Sequence, residues 1–258
     1  NIESLAMKAA FETYKNIFLP PMKKSINHYL PITNYSKSFL IKELDIDESK
    51  ISLLPLGVNT DQFYPMDVKS INTPFSGKLK STDFVIITSG HIEREKNIQT
   101  LLDSMEHLLK ENINVKLIIA GSGDSKYIRK LKDNADIKGI SEKIIFTGHV
   151  NKSQLRKLFN MSDIGVWPGI GVSIIEGMAT GLPILIGDYK ATRHLIENNN
   201  GHIFEPNDAD QLQELLKTFA NDQEKLERFS DNSYEYVKSA LSWENIAKDS
   251  IKIYMGQL

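Results

Sequence analysis

Phe84-Val85-Ile86-Ile87-Thr88-Ser89-Gly90-His91-Ile92-Glu93-Arg94-Glu95-Lys96-Asn97 reads as a strand, a charged loop and the threshold of a helix. Its first four residues are continuously apolar, which suits a strand covered on both faces better than one with a wet side. Beyond the loop, Ile98, Leu101, Leu102, Met105, Leu108 and Leu109 recur at helical spacing as far as Asn112. Further short apolar runs follow at 115–119, 144–146, 164–167 and 183–186. Ser153 is placed to cap a helix over 154–160, and Asp208 to cap one over 209–220. Strand–helix alternation at this rhythm predicts an α/β fold on a doubly wound parallel sheet. Ligands are then expected at the carboxyl ends of the strands.

The first 65 residues have another character. Residues 1–18 read as helical, and Leu19-Pro20-Pro21 ends that pattern. A strand at 29–33, a helix at 36–44 and a strand at 51–54 are expected next. Residues 67–81, polar with one proline and one glycine, read as a surface loop. So few elements cannot close a core of their own. This segment therefore either packs on the main domain or is the tail of a domain mostly absent from the chain, a view that fits Asn1 rather than Met as first residue.

Composition narrows the function classes. The 258 residues are 41% hydrophobic and 25% charged, ordinary for a globular protein. A net charge of −2 gives no electrostatic reason to expect nucleic acid as a partner. The chain has no cysteine, which excludes a disulfide framework and any cysteine ligand or nucleophile, and fits a reducing, cytoplasmic compartment. No apolar run approaches the roughly 18 residues of a membrane span, and no signal-peptide pattern opens the chain.

Three stretches carry chemistry. In the loop 89–97, Arg94 and Lys96 are positioned to hold phosphate after a strand, unless the loop is simply a solvated run of offsetting charges. Gly121-Ser122-Gly123-Asp124 resembles a phosphate loop but lacks the G-x-G-x-x-G and Lys-Ser/Thr patterns, and a plain tight turn explains it better. The most informative stretch is 167–183. There a strand ends at Trp167, Gly169 and Gly171 allow close backbone approach, and a short helix begins near Ser173 with amides free to meet a diphosphate. Glu176 is the single charge in this apolar helix. A buried carboxylate needs a partner, either ligand hydroxyls such as those of a ribose, or backbone donors or a nearby lysine.

His91 and His149 each follow a glycine at the end of a predicted strand and share a sheet edge with Lys96 and Glu176. The six histidines show no paired metal-ligand spacing, so no metal site is expected. No Ser-His-Asp arrangement is visible locally.

In order along the chain, these stretches resemble the C-terminal, Rossmann-like domain of GT-B-fold glycosyltransferases of family 4, the group 1 transferases. Leu54-Pro55-Leu56-Gly57-Val58-Asn59 looks like the segment entering that domain, and Gly90 to Lys96 like its donor-phosphate loop. Ile118 to Gly123 is similar to the next strand and turn, and Ile145-Phe146-Thr147-Gly148-His149-Val150 to the segment beside the nucleobase. Residues 174–183 match the family's glutamate helix, and Ser242-Trp243-Glu244 fits the opening of the terminal helix.

The resemblance implies Lys96 and Glu176 as the catalytic candidates, Lys96 holding the diphosphate and Glu176 the ribose hydroxyls. It implies donor contacts from Gly90, His91, Arg94, Gly121, Gly148, His149, Val150, Gly169, Gly171, Val172 and Ser173. It further implies sugar transfer from a nucleotide-sugar, UDP-sugar by family frequency, with retention and without bound metal or other cofactor. The acceptor would be a glycan or lipid-linked, which would place the full enzyme in the cytoplasm or peripherally at the inner face of a membrane. His91 stands where the family usually has arginine, Pro168 where it has a first glutamate, and Arg193 where it often has another.

The expected layout is 1–50 as the remnant of an N-terminal acceptor domain, 51–240 as the donor-binding domain and 241–258 as a terminal helix. Such a chain binds nucleotide without turning over alone. The alternatives are a nucleotide-sugar 2-epimerase and a non-catalytic nucleotide-sugar-binding subunit that needs a partner chain.

Overall fold

Every apolar run named above becomes a strand of one sheet in the computed structural model, which describes residues 2–256. The chain divides into two compact units, Asn1–Leu56 with Ile246–Leu258, and Gly57–Asn245.

In the smaller unit, helix α1 (Ile2–Thr13) passes through a π-helical turn into α2 (Leu19–Ser25). The two prolines do not end the helical path as expected. They lie in the first turn of α2, where a missing N–H costs no intrahelical bond. Thr33 caps α3 (Asn34–Lys42) through a capping box with Ser36. The strands expected at 29–33 and 51–54 shrink to a single parallel bridge, Tyr29 to Ile51. Pro31 has no N–H, so its carbonyl can accept from Leu54 (3.0 Å) but the ladder cannot continue in both directions. Against the expectation that so few elements close no core of their own, Leu19, Leu44, Ile46 and Ile51 form a small one within this unit.

The larger unit carries a six-stranded, all-parallel sheet in the order β3-β2-β1-β4-β5-β6. Its strands are β1 (Phe84–Ser89), β2 (Val115–Ala120), β3 (Ile144–Gly148), β4 (Ile164–Trp167), β5 (Ile184–Gly187) and β6 (Gly201–Phe204). The sixth, Gly-His-Ile-Phe after three asparagines, is not among the apolar runs of the sequence. Parallel pairing with β5 recruits it.

Alternate residues of each strand enter opposite cores, as a period of two requires. Ile86, Leu117, Val166 and Leu185 face one core, where α4 (Ile98–Lys110) and α8 (Ala209–Ala220) pack. The helices α5 (Ser125–Ile137) and α9 (Gln223–Tyr236) add Leu131 and Phe229 to it. Val85, Ile87, Ile118 and Trp167 face the other core with α6 (Lys152–Asn160) and α7 (Ser173–Met178). Both faces are thus dry, which is why the strand runs are continuously apolar. On α4, Leu101, Leu102, Met105 and Leu108 are fully buried, each contributing roughly 1.5–3 kcal/mol.

Asp208 caps α8 as expected, its side chain accepting from the Gln211 amide. The cap of α6 is Asn151, not Ser153. Asn151 accepts from the Gln154 amide, and the Gln154 side chain accepts from the Asn151 amide, a reciprocal box that starts the helix at Lys152. The terminal helix α10 (Trp243–Tyr254) opens at Trp243 as expected, where the Ser242 hydroxyl accepts from the Asn245 amide at 3.3 Å. Among the described residues no helix is long and apolar enough to cross a membrane.

Candidate functional site

Strand order reverses between β1 and β4, and the loops leaving their carboxyl ends diverge there to open a crevice. It forms a cavity of about 340 Å³. Of the residues singled out in the sequence, Gly90, His91, Lys96, Gly169, Gly171, Val172, Ser173 and Glu176 line it.

The β1 loop is held in place before any ligand arrives. Ser89 ends the strand, and Gly90 takes φ +128°, a conformation only glycine adopts readily. A 3₁₀ turn over Arg94–Lys96 then leads through Asn97, with φ 55°, into α4. Lys96 thereby projects across to the β4 loop. Its ammonium donates to the Ile170 carbonyl at 2.5 Å and lies 3.7 Å from the Glu93 carboxylate. Gly169 makes the approach possible, since a Cβ there would sit 2.7 Å from both the Glu95 carbonyl oxygen and Lys96 Cα.

Trp167 positions α7. Its ring packs where side chains at Gly165 and Gly177 would otherwise stand. Its indole N–H donates to the Ser89 carbonyl (3.2 Å) and the Ser173 hydroxyl (3.1 Å), while that hydroxyl donates to Ser89 O at 2.9 Å. The end of β1 is thus tied to the start of α7, and Glu176 follows one turn later. Ser89 also lines the cavity, and its hydroxyl is a buried polar atom without a partner among the described residues.

Glu176 is only 8% exposed. Its Oε1 accepts from the ammonium of Lys152, the first residue of α6. The lysine partner that a buried carboxylate requires is therefore present. No local motif marks Lys152 in the sequence. The available signal is its place just after the β3 turn, at the same sheet edge as Lys96.

The remaining expected residues do not line this cavity. Arg94 lies in the 3₁₀ turn. Gly121 serves loop packing: its amide donates to Gly148 O at 3.0 Å, and a Cβ on it would fall 1.9 Å from Gly90 O. Asp124 of the same loop caps α5. Gly148, the last residue of β3, and His149 after it are exposed, and Val150 is half-buried. Arg193 pairs with Asp188 at 2.5 and 2.6 Å, and that contact holds the Asp188 carboxyl below its usual range. Among the described residues, no group of three or more His, Asp or Glu side chains is placed to hold a metal ion.

Two lysines, one buried carboxylate and the glycine-containing loop after β4 around one crevice form a surface suited to a ligand with both anionic and hydroxyl groups. The chain is similar to known proteins in sequence and in fold. Residues 70–236 match the family described as Glycosyl transferases group 1. The chain is 28% identical over 217 residues to an uncharacterized glycosyltransferase of Methanocaldococcus jannaschii, covering 80% of this chain and 54% of that protein. It is 25% identical over 205 residues to the Escherichia coli UDP-Gal:alpha-D-GlcNAc-diphosphoundecaprenol alpha-1,3-galactosyltransferase, covering 77% and 52%. The solved structure of Anabaena HepE, in complex with UDP and glucose, superposes with a TM-score of 0.76 at 16% identity over 90% of this chain and 63% of that one. The last likeness carries the fold. The chain spans about half the length of the curated relatives it matches. With the family match running over well more than half of its residues, the chain belongs to the group 1 glycosyl transferases.

Proposed function

We propose that this chain is the donor-binding half of a retaining, metal-independent glycosyltransferase of family 4, which takes a sugar from UDP-sugar and passes it to a glycan or lipid-linked acceptor. The observation that carries this reading is the placement of the Lys96 ammonium and the Glu176 carboxylate on one cavity at the strand-order reversal. Lys96 leaves the Ile170 carbonyl and holds the diphosphate, and the amides of Gly171, Val172 and Ser173 add donors beside it. Glu176 accepts from the ribose hydroxyls. His149 and its neighbours flank the base through their backbone, with Gly148 and Val150 shaping that turn.

In the transfer, the bond between the anomeric carbon and the diphosphate oxygen breaks while the acceptor oxygen bonds to that carbon with retained configuration. Negative charge grows on the departing oxygen. A preorganised ammonium and amides in a crevice stabilise it without needing a metal. The acceptor and the groups that position it belong to the other half of the enzyme, so the chain alone binds the donor and does not turn over. The named substrate of the Escherichia coli relative is diphosphoundecaprenol-linked. A comparable acceptor here would set the reaction at the cytoplasmic face of a membrane.

Calorimetry with UDP, GDP and ADP on the unsubstituted chain and on Glu176→Ala tests the site. Binding of one nucleotide is expected, weakened by the substitution. No binding, or no change on substitution, overturns the assignment. Sugar transfer by the chain alone overturns the donor-half reading.

A further inference from the structure

Lys152 and Glu176 are unequal partners. The Glu176 side chain is 11% exposed and that of Lys152 is 59% exposed, so the carboxylate is walled in and the ammonium reaches it from the rim. The ring of Phe63 lies 5.6 Å from that ammonium. Lysine carries three N–H donors, and the bond to Oε1 of Glu176 occupies one of them. Lys152 also faces the cavity that Lys96 lines, and there the two lysines oppose Glu176 alone among the carboxylates of the wall. Without Lys152, the buried Glu176 carboxylate would lose the ammonium bonded to it, because Lys96 is engaged by Ile170 and Glu93 instead. An anionic ligand would then enter beside a negative charge that no direct partner offsets.

Resting on the donor-site reading above, we propose that Lys152 is a positioning residue of the nucleotide site: it orients the Glu176 carboxylate and cancels its charge so that a nucleoside diphosphate can occupy the cavity beside it. A carboxylate offers two oxygens with roughly four lone-pair directions. The ammonium keeps its bond to Oε1 while the other oxygen accepts from the ligand's hydroxyls. Charge cancellation matters to the diphosphate and little to an uncharged nucleoside, so Lys152 acts on UDP much more strongly than on uridine.

The test is titration calorimetry with UDP and with uridine on Lys152→Met, Lys152→Arg, Glu176→Gln and the double variant, with thermal unfolding to show that each is folded. Methionine keeps the apolar stem and removes the charge. UDP affinity is expected to fall at least about tenfold in Lys152→Met, equivalent to about 1.4 kcal/mol. Lys152→Arg is expected to stay nearer the unsubstituted chain, and uridine binding to change less than UDP binding. Glu176→Gln is expected to cost less affinity in the Lys152→Met background than alone, because the charge Lys152 cancels is then gone. A merely structural lysine would not produce that coupling. Unchanged UDP affinity in Lys152→Met, equal losses for UDP and uridine, or losses that simply multiply in the double variant each overturn the proposal. If the unsubstituted chain binds no UDP, GDP or ADP, the donor-site reading itself fails. If it binds and Lys152→Met is silent, only the role of Lys152 falls.

Discussion

The ammonium of Lys96, from the loop after β1, donates to the carbonyl of Ile170, in the loop after β4, at 2.5 Å. One side chain thus bridges the two loops that diverge where the strand order reverses. A ligand anion competes for an ammonium already delivered to the site. Little side-chain reordering is left for the binding step.

Lys96→Met should therefore separate binding from folding. Charge-assisted hydrogen bonds contribute about 1.5–3 kcal/mol, so nucleoside diphosphate affinity should fall between about tenfold and a hundredfold. The side chain is 29% exposed, and its loss should move folding stability by less than about 1 kcal/mol. Calorimetry with UDP and urea unfolding of the same variant read the two effects.

Gly169→Ala should do both kinds of damage. The added methyl would lie 2.7 Å from the Glu95 carbonyl oxygen and from Lys96 Cα, and a backbone neighbour cannot rotate away. A loss of about 1–3 kcal/mol in urea unfolding is expected. Nucleotide affinity should weaken with it, because the backbone that must shift carries Lys96.

The two candidate caps of α6 are distinguishable by stability alone. Asn151→Ala should cost about 1 kcal/mol, since it removes the acceptor for the Gln154 amide. Ser153→Ala, already inside the helix, should stay within about 0.5 kcal/mol. Chemical denaturation midpoints at matched slope decide between them.

His202 should make stability fall on acidification. Burial, reinforced by the charge of Lys225, holds its pKa below the ordinary 6.5. Its ring lies 5.8 Å from Phe219 and 5.4 Å from Phe229, and its Nε2 is buried without a partner among the described residues. The unfolded chain therefore binds the proton more readily than the folded one, and stability rises with pH up to about 6.5 and drops below it. His202→Phe keeps the aromatic packing and removes this proton. Urea unfolding at pH 7.5 and 5.5 should show a smaller difference in the variant, though a residual one, because burial also lowers the pKa of His194.

The sheet was legible where strands are short, continuously apolar runs, and illegible where a strand exists only through its neighbour. Gly201–Phe204 has no apolar run of its own and becomes β6 by pairing with β5. Pro20 and Pro21 stop an isolated helical pattern but suit the first turn of a new helix, a distinction that depends on the π-turn before them. In the site, the stretch 167–183 showed a buried glutamate beside glycines, and the cavity contains both. Gly121 carries the same local glycine signal, yet a backbone from another loop fills the space its missing side chain leaves.

By itself the sequence determined the alternation of dry strands and amphipathic helices, the glycines at strand ends and the need of Glu176 for a partner. Those are matters of periodicity, backbone freedom and desolvation, each readable within a few residues. Only the tertiary structure decided which partner Glu176 has. Lys152 lies 24 positions away in the chain, and it reaches the carboxylate because the helices after β3 and β4 pack on the same face of the sheet. Lys96 and Ile170, 74 positions apart, meet for the related reason that β1 and β4 are neighbours. Contacts of this kind follow from strand order, and no local stretch of residues carries that order.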